Sequence, residues 1–338
     1  MQSSMLHSLI IAYKLHEHMS IIPPEIASIE DLKEFHSSDY YLHLCASAAL
    51  SDRVLLTHVL PIASDCPIFP NLANYVRLVA GGTISAAKLL TEGGYDVAIH
   101  WDGGRHHGKR DSACGFCYIN DIVLGILELH KKYERILYLD LDIHHGDGVE
   151  QAFQTTSKVL TVSFHKYEPG FFPGTGSIDD VGYGKGLNHS LNIPLRPGFS
   201  GVGLRYLFSR VIDSAMENYN PDAIVIQCGA DGLANDPLVG RGGWNLDERS
   251  IGECVAKTLS FNKPTLVLGG GGYGNPNAAR CWAWCTAVIV QQEELISEDI
   301  PDHPFLNKYG PDFRLPVDLT FYKDRNDTRY VDDVIKKV

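Results

Sequence analysis

The sequence predicts an α/β protein: a single three-layer α/β/α domain built around a central, mostly parallel sheet. Three observations lead there. Six short runs rich in Val, Ile and Leu read as strands buried on both faces. Helical patterns stand between most of them, the alternation that makes a parallel sheet with helices on both sides. Residues able to do chemistry cluster just after the runs, where an open parallel sheet binds ligands, outside the carboxyl ends of its strands.

In chain order, helices are expected at Met5–His18 and Ile29–Leu50, then at Asn71–Leu90 ahead of the first strand, Val97–Trp101. A helix over Tyr118–Tyr133 leads to strands at Arg135–Asp142, Val159–His165 and Ser190–Leu195. Gly203–Tyr219 reads as helix, Ala223–Gly229 as strand, Asp247–Ser260 as helix, Thr265–Gly270 as strand and Asn277–Gln292 as helix. No Pro-, Gly- or Ser-rich linker divides the chain and no repeat is apparent, so one domain is expected over residues 1–338, with 300–338 a partly irregular tail.

With 338 residues and a hydrophobic share of 44%, the chain is long and apolar enough for a large core. No apolar run approaches the roughly 18 residues of a membrane span, and Met1–Ile10 lacks the basic region and apolar core of a signal peptide. The net charge of −12 argues against direct nucleic-acid binding and favours basic partners such as lysine-rich tails. Eight scattered cysteines, several inside expected strands and helices, fit reduced intracellular thiols better than a disulfide framework. Cys114-x-x-Cys117 has no second such pair to complete a four-sulfur zinc site.

The most informative stretch is Leu137–Gly148, an apolar run ending in Asp140, Asp142, His144, His145 and Asp147. A strand sends alternate side chains to one face, so Asp140, Asp142 and His144 share a parity. Carboxylates resist burial unless paired or metal-bound, so an Asp-x-His at a strand end points to a metal site. Asp231, just after Ala223–Gly229, supplies a third ligand, although alone it would serve equally well as a turn residue. Two carboxylates and one imidazole leave a coordination position open, as a catalytic metal needs. Zinc is the first expectation, and the mixed oxygen and nitrogen set also admits Fe²⁺, Mn²⁺ or Co²⁺.

His106 and His107, flanked by glycines, offer a base for a hydrolytic reaction, and Asp140 and Asp147 are available to orient them. Gly269-Gly-Gly-Gly-Tyr-Gly274 formally matches a dinucleotide fingerprint but comes late and lacks the acid that should follow. It reads better as a hinge aiming Tyr273 at developing negative charge. Phe116 and Phe172 lie in glycine-rich loops and are placed to line a narrow tube for an aliphatic chain.

Gly104-x-His-His107, Gly115-Phe-Cys-Tyr-x-Asn-Asp121, Tyr138-x-Asp-x-Asp-x-His-His-Gly-Asp-Gly-Val-Glu150, Pro169-Gly-Phe-Phe-Pro-Gly-Thr-Gly176, Gly229-Ala-Asp231 and Gly269-Gly-Gly-Gly-Tyr273 together resemble the zinc-dependent histone deacetylases of the class I branch. Their order matches too, and the likeness runs from about Met5 to Phe313. The resemblance implies an arginase/deacetylase-type fold and hydrolysis of Nε-acetyl-lysine, with acetylated histone tails or other proteins as substrates. A corepressor complex would be the partner, and the nucleus, then the cytoplasm, the compartment. It puts zinc on Asp142, His144 and Asp231. It makes His107 with Asp147 the base, His106 with Asp140 an electrostatic stabiliser, and Tyr273 the oxyanion donor. Gly115, Phe116 and Phe172 would hold the lysine methylenes, Leu238 would lie at the rim and Asp65 would hold the substrate backbone. Potassium would take Asp140, Asp142, His144, Ser163 and Phe164 at an inner site, and Phe153, Thr156, Val159 and His189 at an outer one.

Three departures stand out. The family's opening strand has no counterpart before the first helix, so the sheet is expected to lack its first edge strand, with Gln2 near the place of a family arginine. Arg105 stands where many class I members carry Trp, which leads us to expect a positive charge for departing acetate. His189 stands where an aromatic is common. Two rival functions remain at this stage: a deacylase of acetylpolyamines or longer acyl groups, and a catalytically impaired binding module.

Overall fold

The computed structural model describes residues 1–49 and 65–338. Six strands, β1 (Val97–His100), β2 (Ile136–Asp140), β3 (Val159–Lys166), β4 (Ser190–Leu195), β5 (Ala223–Gln227) and β6 (Thr265–Leu268), form one sheet in the order β1-β6-β5-β2-β3-β4. Every neighbouring pair is parallel. The strands fall where the apolar runs predict them, and among the described residues β1 and β4 are the edges.

The two-residue period of the strands builds the two outer layers. In β2, Leu137 and Leu139 enter one core while Ile136 and Tyr138 enter the other; in β5, Ile224 and Ile226 oppose Val225 in the same way. The first core receives α1 (Gln2–Ala12), α7 (Gly201–Tyr219), α8 (Glu248–Leu259) and α9 (Asn275–Ile289). The second receives α4 (Leu72–Glu92), α5 (Asp121–Leu129) and α6 (Asp147–Phe153). Val331 and Val334 tie the final helix, α10 (Thr328–Lys337), to the first core, so the tail carries one regular element that the composition did not announce. No helix among the described residues is long and apolar enough to cross a membrane.

The expected helix at Ile29–Leu50 is two, α2 (Ile29–Lys33) and α3 (Ser38–Ala49); its end at Leu50 lies outside the described residues. A tertiary demand makes the break. Between them His36 is buried; its Nδ1 donates to the Arg110 carbonyl at 3.2 Å and its Nε2 accepts the Asn120 N–H at 3.0 Å. Likewise Met5–His18 splits after α1, where Lys14 takes a φ of 60° before a short 3₁₀ turn. α5 starts at Asp121 rather than Tyr118, because the Asn120 side chain caps it by accepting the Val123 N–H.

Four expected strands, drawn to Trp101, Asp142, Gly229 and Gly270, run one or two residues past their observed ends at His100, Asp140, Gln227 and Leu268. There side chains begin to take over the backbone groups. The Asp142 N–H donates to Asp140 Oδ1 at 3.1 Å and the Gly229 N–H to Gln227 Oε1 at 2.8 Å. The chain therefore leaves the sheet where its reactive residues begin.

Candidate active site

β1, β6, β5 and β2 are consecutive neighbours in the sheet, and the segments leaving their carboxyl ends carry His106–His107, Tyr273, Asp231 and Asp142–His144 respectively. Asp142, His144 and Asp231 converge with ligand atoms all within 4.8 Å of one another. Both carboxylates are fully buried. His144 Nδ1 lies 2.9 Å from Asp231 Oδ2 and 3.1 Å from Asp142 Oδ1. The backbone N–H of Gly271 (2.8 Å) and Gln227 Nε2 (3.0 Å) donate to Asp142 Oδ2, and the Ile143 N–H (2.9 Å) donates to Asp231 Oδ1. Gly271 has to be glycine: a Cβ there would run into the Asp231 carboxylate and come within 2.8 Å of Asp142 Oδ2.

The electrostatics of this cluster call for a cation. Burial and then the Asp142 charge push the Asp231 carboxyl up to about 7. Burial works against ionising Asp142 too, but His106 and His144 overcome it and hold Asp142 well below the usual carboxylate range. Burial opposes a charged His144, yet the two carboxylates raise it to about 10. Two buried carboxylates a few ångströms apart draw positive charge from whatever is present, and a divalent ion meets that demand with one imidazole and two oxygen donors. The donor set therefore fits a resident metal.

His106 and His107 differ although they are neighbours. His106 Nδ1 lies 2.9 Å from Asp140 Oδ2, which also accepts the Tyr138 hydroxyl at 2.7 Å. Burial disfavours its charge, but Asp140 and Asp142 outweigh burial and raise it to about 9. His107 Nδ1 lies 2.7 Å from Asp147 Oδ1, and Lys109 Nζ holds the other oxygen of that carboxylate. Burial first and the His106 charge second lower His107 to about 3. The carboxylate beside His106 thus favours its charged form, while burial favours the neutral form of His107. Burial also opposes the Asp147 charge, but His107 and Lys109 keep it ionised.

Tyr273 has its backbone N–H donated to Asp236 Oδ2 at 2.8 Å, and its ring stands 5.8 Å from that of Phe116. Burial, then the charges of Asp231 and Asp142, push its phenol far above the ordinary value, so it stays protonated. A cavity of about 230 Å³ is lined by His106, His107, Phe116, Tyr273, Arg105 and the glycine run Gly270–Gly272, among others. Phe116 and Phe172 are 44% and 40% exposed, as wall residues at a mouth must be. Phe116 has a φ of 64°, and with Gly115 (φ 54°) it forms the centre of a tight turn closed by reciprocal Cys114–Cys117 backbone hydrogen bonds. Phe172 packs edge-on against His107 with ring centroids 4.9 Å apart.

Asp65 Oδ2 accepts the Gly115 N–H at 2.8 Å, while its Oδ1 is buried without a partner. Leu238 is exposed, and its N–H donates to the same Asp236 that holds the Tyr273 loop. Ser163 lies opposite Asp140 in the β2–β3 register, with Phe164 next to it. Phe153, Thr156, Val159 and His189 gather at the other end of β3: the Phe153 carbonyl accepts the Thr156 N–H and the His189 carbonyl the Thr161 N–H, each at 3.0 Å.

Sequence reasoning missed Lys109, Gln227, Tyr138 and Asp236. Gln227 and Tyr138 left a signal, since a polar group closes the apolar β5 run and a hydroxyl shares the parity of Asp140. Lys109 and Asp236 left none, because their partners are distant in the chain.

The histone deacetylase domain model matches residues 2–289. The chain belongs to the histone deacetylase family. It is 44% identical to histone deacetylase 8 of Xenopus tropicalis over 338 residues, covering all of this chain and 90% of that protein. Histone deacetylase 8 of Danio rerio is 43% identical over 338 residues, with 100% of this chain and 88% of that protein covered. Histone deacetylase 6 of Arabidopsis thaliana is 46% identical over 318 residues, with 93% and 66% covered. This histone deacetylase lies in the class I branch and hydrolyses acetyl-lysine.

Proposed function

We propose that the chain is a zinc-dependent protein-lysine deacetylase acting on histone tails in the nucleus. The observation that carries this reading is a cavity lined by the Asp147-held His107, the protonated Tyr273 and Gly271, the last lying directly against the carboxylates of the Asp142–His144–Asp231 group. Asp142, His144 and Asp231 would hold the ion, Zn²⁺ first and Fe²⁺ second. When bound, it supplies a Lewis acid that polarises the acetyl carbonyl and makes water more acidic.

The chain's own residues do the rest. Asp147 accepts the Nδ1–H of His107, leaving Nε2 free to take a proton from the attacking water. Being neutral, His107 has room for that proton, and it then delivers it to the departing lysine amine. His106, charged and held by Asp140, stabilises negative charge growing on the acyl carbon's substituents. The Tyr273 phenol donates to the carbonyl oxygen as it becomes an oxyanion. Phe116 and Phe172 clasp the lysine methylenes, Gly115 leaves them room, Asp65 beside that turn would hold the substrate backbone, and Leu238 meets the tail at the rim.

Acetylation removes the lysine charge that would resist burial in such a tube. The net charge of −12 supports basic tails as substrates, and the family resemblance suggests a corepressor complex as the setting. Potassium bound by Asp140, Asp142, His144, Ser163 and Phe164 would brace the end of β2, and a second ion at Phe153, Thr156, Val159 and His189 would brace the start of β3.

The test is turnover of an acetyl-lysine histone-tail peptide by metal-stripped protein, before and after Zn²⁺ or Fe²⁺, with acetylpolyamine alongside. Restored peptide cleavage with little action on the polyamine is expected. Failure with both metals overturns the reading, and preference for the polyamine replaces the histone substrate.

A further inference from the structure

Arg105 precedes the catalytic histidines, and its place in the cavity is not used by the reaction just described. Its backbone is pinned, with its N–H donating to Asp121 Oδ1 at 2.8 Å and the Gly104 N–H donating to the other oxygen at 3.0 Å. That carboxylate is further taken up by the Thr83 hydroxyl at 2.5 Å. The guanidinium carries five N–H donors and does not deprotonate. One Nη donates to the Asp102 carbonyl at 3.0 Å, whereas Nε is buried with no partner, and the group enters no ion pair among the described residues. A half-buried guanidinium at a cavity wall, with an N–H left unpaired, is placed to receive an anion.

The cavity shows which anion can reach it. Arg105 lines the same space as His106, His107 and Tyr273; Gly104 and Gly270–Gly272 add no side chains to it, and Gln2, Cys117 and Asn275 complete that part of the wall. An acyl carbon placed between His107 and Tyr273 sends the rest of its acyl chain into this space. The cavity of about 230 Å³ also takes in the stretch walled by Gly115 and Phe116 that holds the lysine methylenes, and of an acetyl group only one methyl reaches past the reacting carbon toward Arg105. A dicarboxylic acyl group supplies methylenes for the glycine-walled stretch and a terminal carboxylate for the planar fork of Arg105.

We infer that Arg105 makes this wall a carboxylate subsite and that the enzyme hydrolyses lysines bearing dicarboxylic acyl groups, with succinyl-lysine the test case. The inference rests on the deacetylase reading above. The step balances as simple amide hydrolysis. The water oxygen bonds to the acyl carbon and the C–N bond breaks. The amine takes a proton through His107, and succinate leaves in place of acetate.

The experiment uses metal-loaded protein and one peptide carrying acetyl, butyryl or succinyl on the same lysine, with wild type, Arg105→Leu and Arg105→Lys compared. The neutral butyryl group matches succinyl in carbon count, so the succinyl-to-butyryl ratio of kcat/KM isolates the charge. A charge-assisted hydrogen bond predicts that this ratio falls about tenfold or more in Arg105→Leu and is largely kept in Arg105→Lys. Calorimetry of succinate and butyrate binding gives an independent reading, with succinate favoured by wild type and not by Arg105→Leu. Equal succinyl-to-butyryl ratios in wild type and Arg105→Leu, with acetyl-peptide still cleaved, overturn the inference and leave the deacetylase standing. If no acyl peptide is cleaved, the deacetylase reading fails, and succinate binding without an Arg105 dependence rejects the subsite separately.

Discussion

Tyr273→Phe removes one hydroxyl and nothing else. In the folded protein that hydroxyl has no hydrogen-bond partner among the described residues, while the ring keeps its edge contact with Phe116 and the backbone its bond to Asp236. The change therefore removes no interaction of the resting enzyme, and stability should stay within about 0.5 kcal/mol of the parent. The whole effect belongs to the transition state. Losing one aligned oxyanion donor costs about 10²–10³-fold in kcat, roughly 3–4 kcal/mol. KM should move little, because the ground-state carbonyl draws less on the donor. Since burial and the Asp231 and Asp142 charges keep the phenol protonated, the donor is present at every working pH. Steady-state kinetics on an acetyl-lysine peptide, with thermal melting alongside, check all of this. Equal kcat in variant and parent would refute the oxyanion role. A large drop in melting temperature would show instead that the hydroxyl has a structural partner.

Four further outcomes are expected. Lys109→Met should lower kcat roughly tenfold with KM nearly unchanged, since Lys109 fixes the carboxylate that orients His107, and Lys109→Arg should recover much of it; a rise in KM alone would assign Lys109 to loop structure. Gly271→Ala and Asp231→Asn should each abolish the gain in melting temperature that Zn²⁺ gives the metal-free protein, the first because its Cβ occupies the space beside both carboxylates; a normal gain in both would remove the metal assignment. His36, which burial lowers from 6.5 to about 4, favours the unfolded chain once protonated, so its contribution is complete above pH 6.5 and is lost as pH falls toward 4. Between pH 7 and 5 that loss is roughly 2 kcal/mol, and urea unfolding of wild type against His36→Gln at both pH values measures it. Arg105→Trp should weaken product inhibition by acetate, and unchanged inhibition would detach Arg105 from the leaving anion.

Much of the site could be read from the residues because it is local. Asp140, Asp142 and His144 stand within five residues at the end of an apolar run, and although β2 stops at Asp140 the short segment after it keeps Asp142 and His144 together. The same holds for the apolar runs: a stretch such as Ala-Ile-Val-Ile at Ala223–Ile226 has no stable place other than a sheet covered on both faces. The helix breaks at Lys14 and around His36 were not legible, because propensity there yields to a left-handed turn and to a histidine bonded to residues far along the chain.

By itself, then, the sequence determined the alternation of strands and helices and the chemical types that follow the strand ends. Tertiary structure alone decided that β1, β6, β5 and β2 stand side by side, so that His107 and Tyr273 line one cavity whose Gly271 wall lies against Asp142 and Asp231. It also decided that Lys109 braces Asp147, that Gln227 aims Asp142, and that Arg105 reaches the cavity wall with no ion pair among the described residues. The physical reason is one of range. Bond geometry fixes how neighbours within one element face, whereas the charge state and partners of a buried group depend on which distant segments the packed sheet brings within a few ångströms.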